Sequence, residues 1–325
     1  MQQISSPPKS RFITRLFKRQ LTERDKARMK ESFTLYGIFS PVFLHIFLFC
    51  YIPLYGIVIA FQNYFPGSPF LALDGSVDWV GFTHFTDFIG SIYFSRLIKN
   101  TLVLSGLQLL MGFWVPIVFA LLLNEIQRPR YKKFVQTASY LPHFISMVVV
   151  AGLALLMVSD EGLINQLIRM FGGSPIQYGT DPKYFPWVYV ITNVWKSFGW
   201  NSIIYMSTIA SIDPALYEAA SMDGANRFQQ ALHITLPSIQ NTIIILFIFA
   251  IGGLLGSNTE FILLMYSPAI YDTADVIGTY MYRQGIELGN FSQSTAISLF
   301  MQIINFGLLY ACNAISRKLN GYSLW

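Results

Sequence analysis

Between residues 212 and 237 the chain reads Ile212-Asp213-Pro214-Ala215-Leu216-Tyr217-Glu218-Ala219-Ala220-Ser221-Met222-Asp223-Gly224-Ala225 and closes on Ile234-Thr235-Leu236-Pro237. These residue types suit contact and geometry rather than bond-making. Asp213 is suited to cap a helix whose first residue is Pro214. Ala215 to Met222 favour that helix, and Gly224 supplies the positive φ that ends it in a tight turn. A second helical stretch is expected to follow, with Phe228, Leu232 and Thr235 near one face and Pro237 at its exit. The short first helix would expose small residues, so another protein could pack closely against it.

A second constellation, Asn193, Trp195, Lys196, Trp200 and Asn201, sits inside an otherwise apolar run. An ionisable residue in such a run is a functional candidate, and amides with aromatic faces suit sugars. Two roles stay open for Lys196: lining a solute path, or snorkelling or pairing with a neighbouring subunit while the tryptophans meet lipid. Glu260, with Ser257, Asn258 and Thr259, interrupts another apolar run and either lines a vestibule or caps a broken helix. Nothing points to catalysis. His45 and His143 read as packed histidines, Cys50 and Cys312 lie in apolar runs with no metal spacing, and no nucleophile–base pair gathers. The Gly-x-x-x-x-Gly-Lys-Ser/Thr string that cradles phosphates is missing. The chain is therefore expected to be no enzyme and to bind no cofactor or metal.

The elements that must position these residues are membrane spans. Of 325 residues, 53% are hydrophobic and only 12% charged, against about 25% charged in a soluble domain. Mean hydropathy is +0.46. Apolar runs long enough for the roughly 20 residues a span requires cover Tyr36–Phe61, Thr101 to about Asn124, about Tyr140 to Val158, about Phe185 to Ala210, Ile239 to about Tyr266, and Thr295 to about Ile315. The fold class is thus an all-α polytopic membrane protein of about six helices. Residues 1–35 form a basic arm holding Lys9, Arg11, Arg15, Lys18, Arg19, Arg24, Lys26, Arg28 and Lys30, and Leu21–Lys30 is expected to lie on the membrane as a short helix. Arg128, Arg130, Lys132 and Lys133 follow span two. This bias sets both termini in the cytoplasm and explains the net charge of +5 without a nucleic-acid partner. Trp79, Trp187 and Trp325 read as interfacial anchors.

The string at 218–237 resembles the EAA loop of binding-protein-dependent ABC importer permeases: Glu-Ala-Ala, three residues, Gly, nine residues, Ile, one residue, Leu-Pro. Glu218, Ala219, Ala220, Gly224, Ile234, Leu236 and Pro237 match without a gap, and Asp223 also fits. Trp79-Val80-Gly81-Phe82, Asn100-Thr101-Leu102 and Gly162-Leu163-Ile164-Asn165 are similar to other segments of these permeases. Glu260-Phe261-Ile262-Leu263-Leu264, Tyr271 to Ile277, Tyr280 to Arg283 and Gly321 to Trp325 resemble the branch, within the maltose-type sugar permease superfamily, that imports oligosaccharides and polysaccharide fragments. The similarity covers roughly residues 35–325 and leaves the arm unmatched.

That resemblance implies a type I importer architecture over 36–325, with 212–237 as its cytoplasmic ATPase-coupling loop. It implies a second homologous permease, two ATPase subunits carrying ATP and Mg, an extracytoplasmic solute-binding protein, and the plasma (inner) membrane of a bacterium. Glu218 would pair with an ATPase arginine, and Gly224 would serve turn geometry. Rival expectations are a permease for glycerol phosphate or an amino acid, and a stand-alone secondary transporter. The secondary transporter would usually carry internal repeats, which are not evident here.

Overall fold

The computed structural model describes residues 23–71, 75–321 and 323–324, with side chains described from residue 31 to 318 outside that gap and at 321, 323 and 324. The arm to residue 22, Tyr322 and Trp325 lie outside the described residues. Two compact units divide the chain, residues 1–57 and 58–325.

In the first unit, helix α1 runs over Glu23–Ile46, so residues 23–30 continue into the first apolar run instead of forming a separate surface helix. No Gly or Pro separates Lys30 from Tyr36, so nothing breaks the helix there. Pro53 removes an amide the α-ladder would use. The chain around it passes through a π turn, Phe47–Tyr51, into a 3-10 stretch, Ile52–Phe61. His45 packs its ring against Phe49, with centroids 4.8 Å apart.

The second unit is helical; its one isolated extended pairing among the described residues joins Gln62 to Trp79. Its elements are α2 (Thr83–Ile89), α3 (Phe94–Asn124), α4 (Pro129–Tyr140), α5 (Met147–Val158), α6 (Leu163–Met170) and α7 (Phe185–Ala210). They continue with α8 (Pro214–Met222), α9 (Arg227–Gln230), α10 (Gln240–Gly252), α11 (Thr259–Met265), α12 (Tyr271–Ala274), α13 (Ile277–Tyr282) and α14 (Phe291–Asn320). Among the described residues, four stretches are long and apolar enough to cross a bilayer: Glu31–Phe61, Phe94–Asn124, Met147–Met170 and Phe291–Lys318. A fifth is the pair Arg227–Ser238 and Gln240–Gly252, bent by 62°. α7 has the length, but Asn193, Lys196, Ser197, Asn201 and Ser202 dilute its apolarity.

Three boundaries differ from the hydropathy reading. α3 begins seven residues before Thr101, because Arg96 and Lys99 extend the same helix beyond the apolar run. The third apolar helix begins at Met147, not Tyr140. Pro142 ends the preceding helix in a 3-10 turn, Leu141–Phe144, and Ser146 caps the new one by accepting from Val149 N–H at 3.4 Å. The fifth run is not continuous to Tyr266. Gly253 to Asn258 break it, and Asn258 Oδ1 caps α11 by accepting from Phe261 N–H at 3.2 Å.

Three apolar clusters hold the unit. Leu104 of α3, Val150 and Ala154 of α5, Tyr189 and Val194 of α7 and Phe261 of α11 form one. Phe113, Ile117 and Ala120 of α3 meet Tyr205 and Ile209 of α7 in another. Phe88, Leu97, Ile277, Tyr280 and Ile297 form the third. Small residues allow close approach: a Cβ on Gly199 of α7 would collide with the Ser139 carbonyl of α4, and one on Gly252 would collide with Leu309 of α14. The exposed apolar face of α3, with Leu102, Leu110, Val118 and Leu122, suits lipid contact.

Candidate functional site

The 212–237 segment folds as a helical hairpin. Asp213 Oδ1 accepts from the Ala215 N–H at 2.9 Å, and Pro214 opens α8. Gly224 stands at φ 80° with open space where a Cβ would go, so its requirement is conformational. Asn226 and Gln229 then cap α9 reciprocally, at 2.8 and 2.9 Å. The helix continues through a π turn, Ala231–Thr235, into Leu236–Ser238, before the 62° bend into α10. Tyr217 and Thr235 share a hydroxyl–hydroxyl bond of 2.9 Å that ties the two arms. The expected common face of Phe228, Leu232 and Thr235 is split: Thr235 is buried, whereas Phe228 and Leu232 are exposed.

Glu218, Ala219, Asp223, Gly224 and Pro237 are exposed on this hairpin, while Ala220, Ile234 and Leu236 are half-buried. A shallow depression of about 320 Å³ opens beside Ala220, Asp223, Gly224 and Ile234. Arg227 anchors the hairpin to the end of α3. Its guanidinium donates to the Glu125 carbonyl at 3.2 Å and lies 3.6 Å from the Glu125 carboxylate.

The residues of α7 do not converge on one site. Lys196 Nζ donates to the carbonyls of His143 at 2.8 Å, Ile145 at 2.7 Å and Pro142 at 3.4 Å. It satisfies the carbonyl groups freed where the chain breaks between α4 and α5. Trp200 stacks on the His143 ring, with centroids 4.5 Å apart, and both Trp195 and Trp200 are exposed. Asn193 faces the break after α10: its Oδ1 accepts from Asn258 Nδ2 at 2.7 Å, while the Tyr189 hydroxyl accepts from the Asn258 N–H at 2.8 Å. Glu260 is exposed in the first turn of α11, where its charge favours the helix dipole.

Asn201 alone of that set lines a cavity of about 280 Å³ between α3, α7, α10 and the Gly253–Ser257 break. Ser105, Gln108, Tyr189, Tyr205 and Ser257 join it there. The Ser105 hydroxyl and the Gln108 side-chain oxygen are buried with no hydrogen-bond partner among the described residues. Sequence reading named Ser257 but missed Ser105, Gln108, Tyr189 and Tyr205, because each of these sits singly in an apolar run.

A further cluster also escaped it. Asp275, fully buried, accepts from Arg96 at 3.1 Å, Arg283 at 3.1 Å, Tyr266 at 2.6 Å and Thr279 at 2.9 Å. Burial alone would lower the Arg283 pKa, but the hydrogen bonds and charge of Asp275 outweigh it and hold the guanidinium above its ordinary value. Asn100 Nδ2 donates to the Asp275 carbonyl at 2.9 Å, so this node ties α3 to the α12–α13 connection.

Residues 112–321 match the family described as binding-protein-dependent transport system inner membrane component. Among similar proteins is the polygalacturonan/rhamnogalacturonan transport system permease protein YteP of Bacillus subtilis (strain 168), 41% identical over 93% of this chain and 94% of that one. Protein LplB of the same organism is 39% identical over 92% and 93%. A crystal structure of a bacterial ABC transporter involved in the import of the acidic polysaccharide alginate contains a chain 39% identical to this one. The likeness has a TM-score of 0.82 and covers 92% of this chain and 100% of that one. A second structure of a bacterial alginate ABC transporter, in complex with alginate pentasaccharide-bound periplasmic protein, gives 0.83 at the same identity, over 93% and 100%.

Proposed function

The chain belongs to the family of binding-protein-dependent transport system inner membrane components, and from that premise we propose that it forms half of the path by which an ATP-driven importer takes up an oligosaccharide or polysaccharide fragment. The similar permease for polygalacturonan and rhamnogalacturonan and the similar alginate transporter support a carbohydrate over glycerol phosphate or an amino acid. The second half is a homologous permease, the sugar arrives on an extracytoplasmic binding protein, and two ATPase subunits hold ATP and Mg. Membership in this family sets the stand-alone secondary carrier aside.

One observation carries the coupling mechanism: the exposed hairpin 213–237 is mechanically continuous with the cavity wall. α8 presents Glu218 and Ala219, Tyr217 fastens α8 to the second arm, and that arm runs through Leu236-Pro237 into α10. Leu246, Ala250 and Gly253, in and just after α10, line the cavity. Arg227 adds a second link, to the end of α3, whose Ser105, Gln108 and Phe113 line the opposite wall. In this reading α8 lies on the cytoplasmic side in a cleft of the ATPase, and Glu218 pairs with an arginine there. ATPase closure displaces the hairpin and rotates α10 and α3 about the cavity, a rigid-body two-state change. Asn201 and Ser257, polar lining residues with exposed surface, suit a hydroxyl-rich ring.

The test is the ATPase rate of the purified complex with and without loaded binding protein. Gly224→Ala is expected to leave the complex assembled while abolishing the stimulation. Full stimulation in that variant would overturn the assignment of the turn.

A further inference from the structure

Helix α4 carries an exposed face to which the coupling mechanism assigns no role. At 100° per residue, Lys133, Thr137 and Arg130 form one edge of that face, and Phe134, Ala138 and Tyr131 the other. Phe134 and Tyr131 are 68% and 57% exposed, and the apolar edge continues into exposed Leu141 and Phe144. Lys132, Val135, Gln136 and Ser139 on the opposite side are half-buried. Arg128 precedes the helix, and no Asp or Glu occurs between Ile126 and Ser159. None of the four basic side chains makes an ion pair among the described residues.

The face is also held in place. Gly199 lets α7 close on the Ser139 backbone, and Lys196 clamps the three carbonyls that follow α4. One 3-10 turn separates α4 from the apolar α5, so the helix stands at the edge of a span. A fixed helix at that depth, with cations on one edge and aromatic rings on the other, has the pattern of an interfacial helix.

We propose that this face of α4 docks on anionic phospholipid headgroups, with Arg128, Arg130 and Lys133 meeting phosphate and Tyr131 and Phe134 entering the interface beneath. The inference rests on the reading of the chain as a membrane permease. Each surface cation is worth about five-fold in attraction to an anionic leaflet, so the Arg130→Gln, Lys133→Gln double variant should lose roughly 25-fold.

The measurement is retention of phosphatidylglycerol against phosphatidylcholine by the whole purified complex, read by native mass spectrometry at low salt. Wild type is expected to prefer phosphatidylglycerol and to lose the preference as salt rises. The Arg130→Gln, Lys133→Gln variant should lose it with all subunits present, and Arg130→Lys, Lys133→Arg should keep it. Tyr131→Ser with Phe134→Ser should weaken retention yet keep its salt dependence. Unchanged preference in the double variant, or loss of the ATPase subunits from it, would overturn the proposal, the latter by making this face a protein contact. Should that variant not assemble, a salt-independent preference in wild type overturns it equally. Binding-protein-stimulated ATPase activity of wild type in phosphatidylcholine alone tests the permease reading separately.

Discussion

Replacing Asp275 with asparagine removes the one negative charge that lies between two guanidinium groups. The carboxylate has no exposure, while the Arg96 and Arg283 side chains are 35% and 24% exposed. Breaking a buried pair by removing one partner costs about 3–5 kcal/mol, and the partial exposure of both arginines argues for the lower end, about 3 kcal/mol. The asparagine NH₂ would also face donors from Arg96, Arg283, Tyr266 or Thr279, where the carboxylate only accepted. At ~2 °C per kcal/mol for a chain of this length, the melting temperature of the purified protein in detergent should fall by roughly 6 °C. Adding Arg283→Gln removes the cation left without a carboxylate, since Arg96 keeps Asp272 at 3.8 Å. The double variant should therefore melt close to Asp275→Asn alone, a strong non-additivity. A melting temperature within about 1 °C of wild type for Asp275→Asn, or fully additive losses in the double variant, would refute the reasoning.

Other outcomes follow from the same geometry. Gly224→Ala must hold an L-residue at φ 80°, a strain of about 1–2 kcal/mol; thermal melting should show that small loss while uptake falls much further. Gly199→Ala drives a methyl into the Ser139 backbone, so it should cost about 1–3 kcal/mol, and Ser139→Ala should not rescue it in a melting assay. Lys196→Met strands the His143 and Ile145 carbonyls, while Pro142 keeps the Ile145 N–H, and should lower stability by about 1–3 kcal/mol, while transport specificity for chain length stays unchanged in uptake competition. Arg227→Gln breaks an exposed pair worth at most about 1 kcal/mol, so a fall in stimulated ATPase rate without a fall in melting temperature would mark it as a coupling contact.

What the sequence could express was whatever is local. Asp213 as a cap, Pro214 as the first helical residue and Gly224 at positive φ are short-range backbone chemistry, and all three stand where the string placed them. The apolar runs were legible for the same reason, although polar first turns hid the start of α3 and Pro142 moved the start of α5. The Asp275 cluster was not legible. Arg96 lies 179 residues from Asp275 and, read alone, looks like one more loop charge. Lys196 gave a true signal of function or structure, but its partners are carbonyls, which every residue carries and no sequence pattern marks. The α4 segment looked like a basic loop because Arg128, Arg130, Lys132 and Lys133 crowd its start, and its two-edged face emerges only once it is helical. Ser105 and Gln108 stand out only through what they lack, a partner among the described residues, which is a property of packing alone.

Import driven through ATP-powered motion of the 213–237 hairpin makes uptake depend on both the nucleotide and the turn at Gly224. Its most direct test is uptake of labelled oligogalacturonate or alginate oligomers into proteoliposomes holding the whole complex. Binding protein is supplied outside, and ATP is sealed inside or omitted. Uptake that requires both, and that disappears in Gly224→Ala with the complex intact, is the expected result. Uptake that proceeds without ATP, or follows an imposed ion gradient, would contradict it.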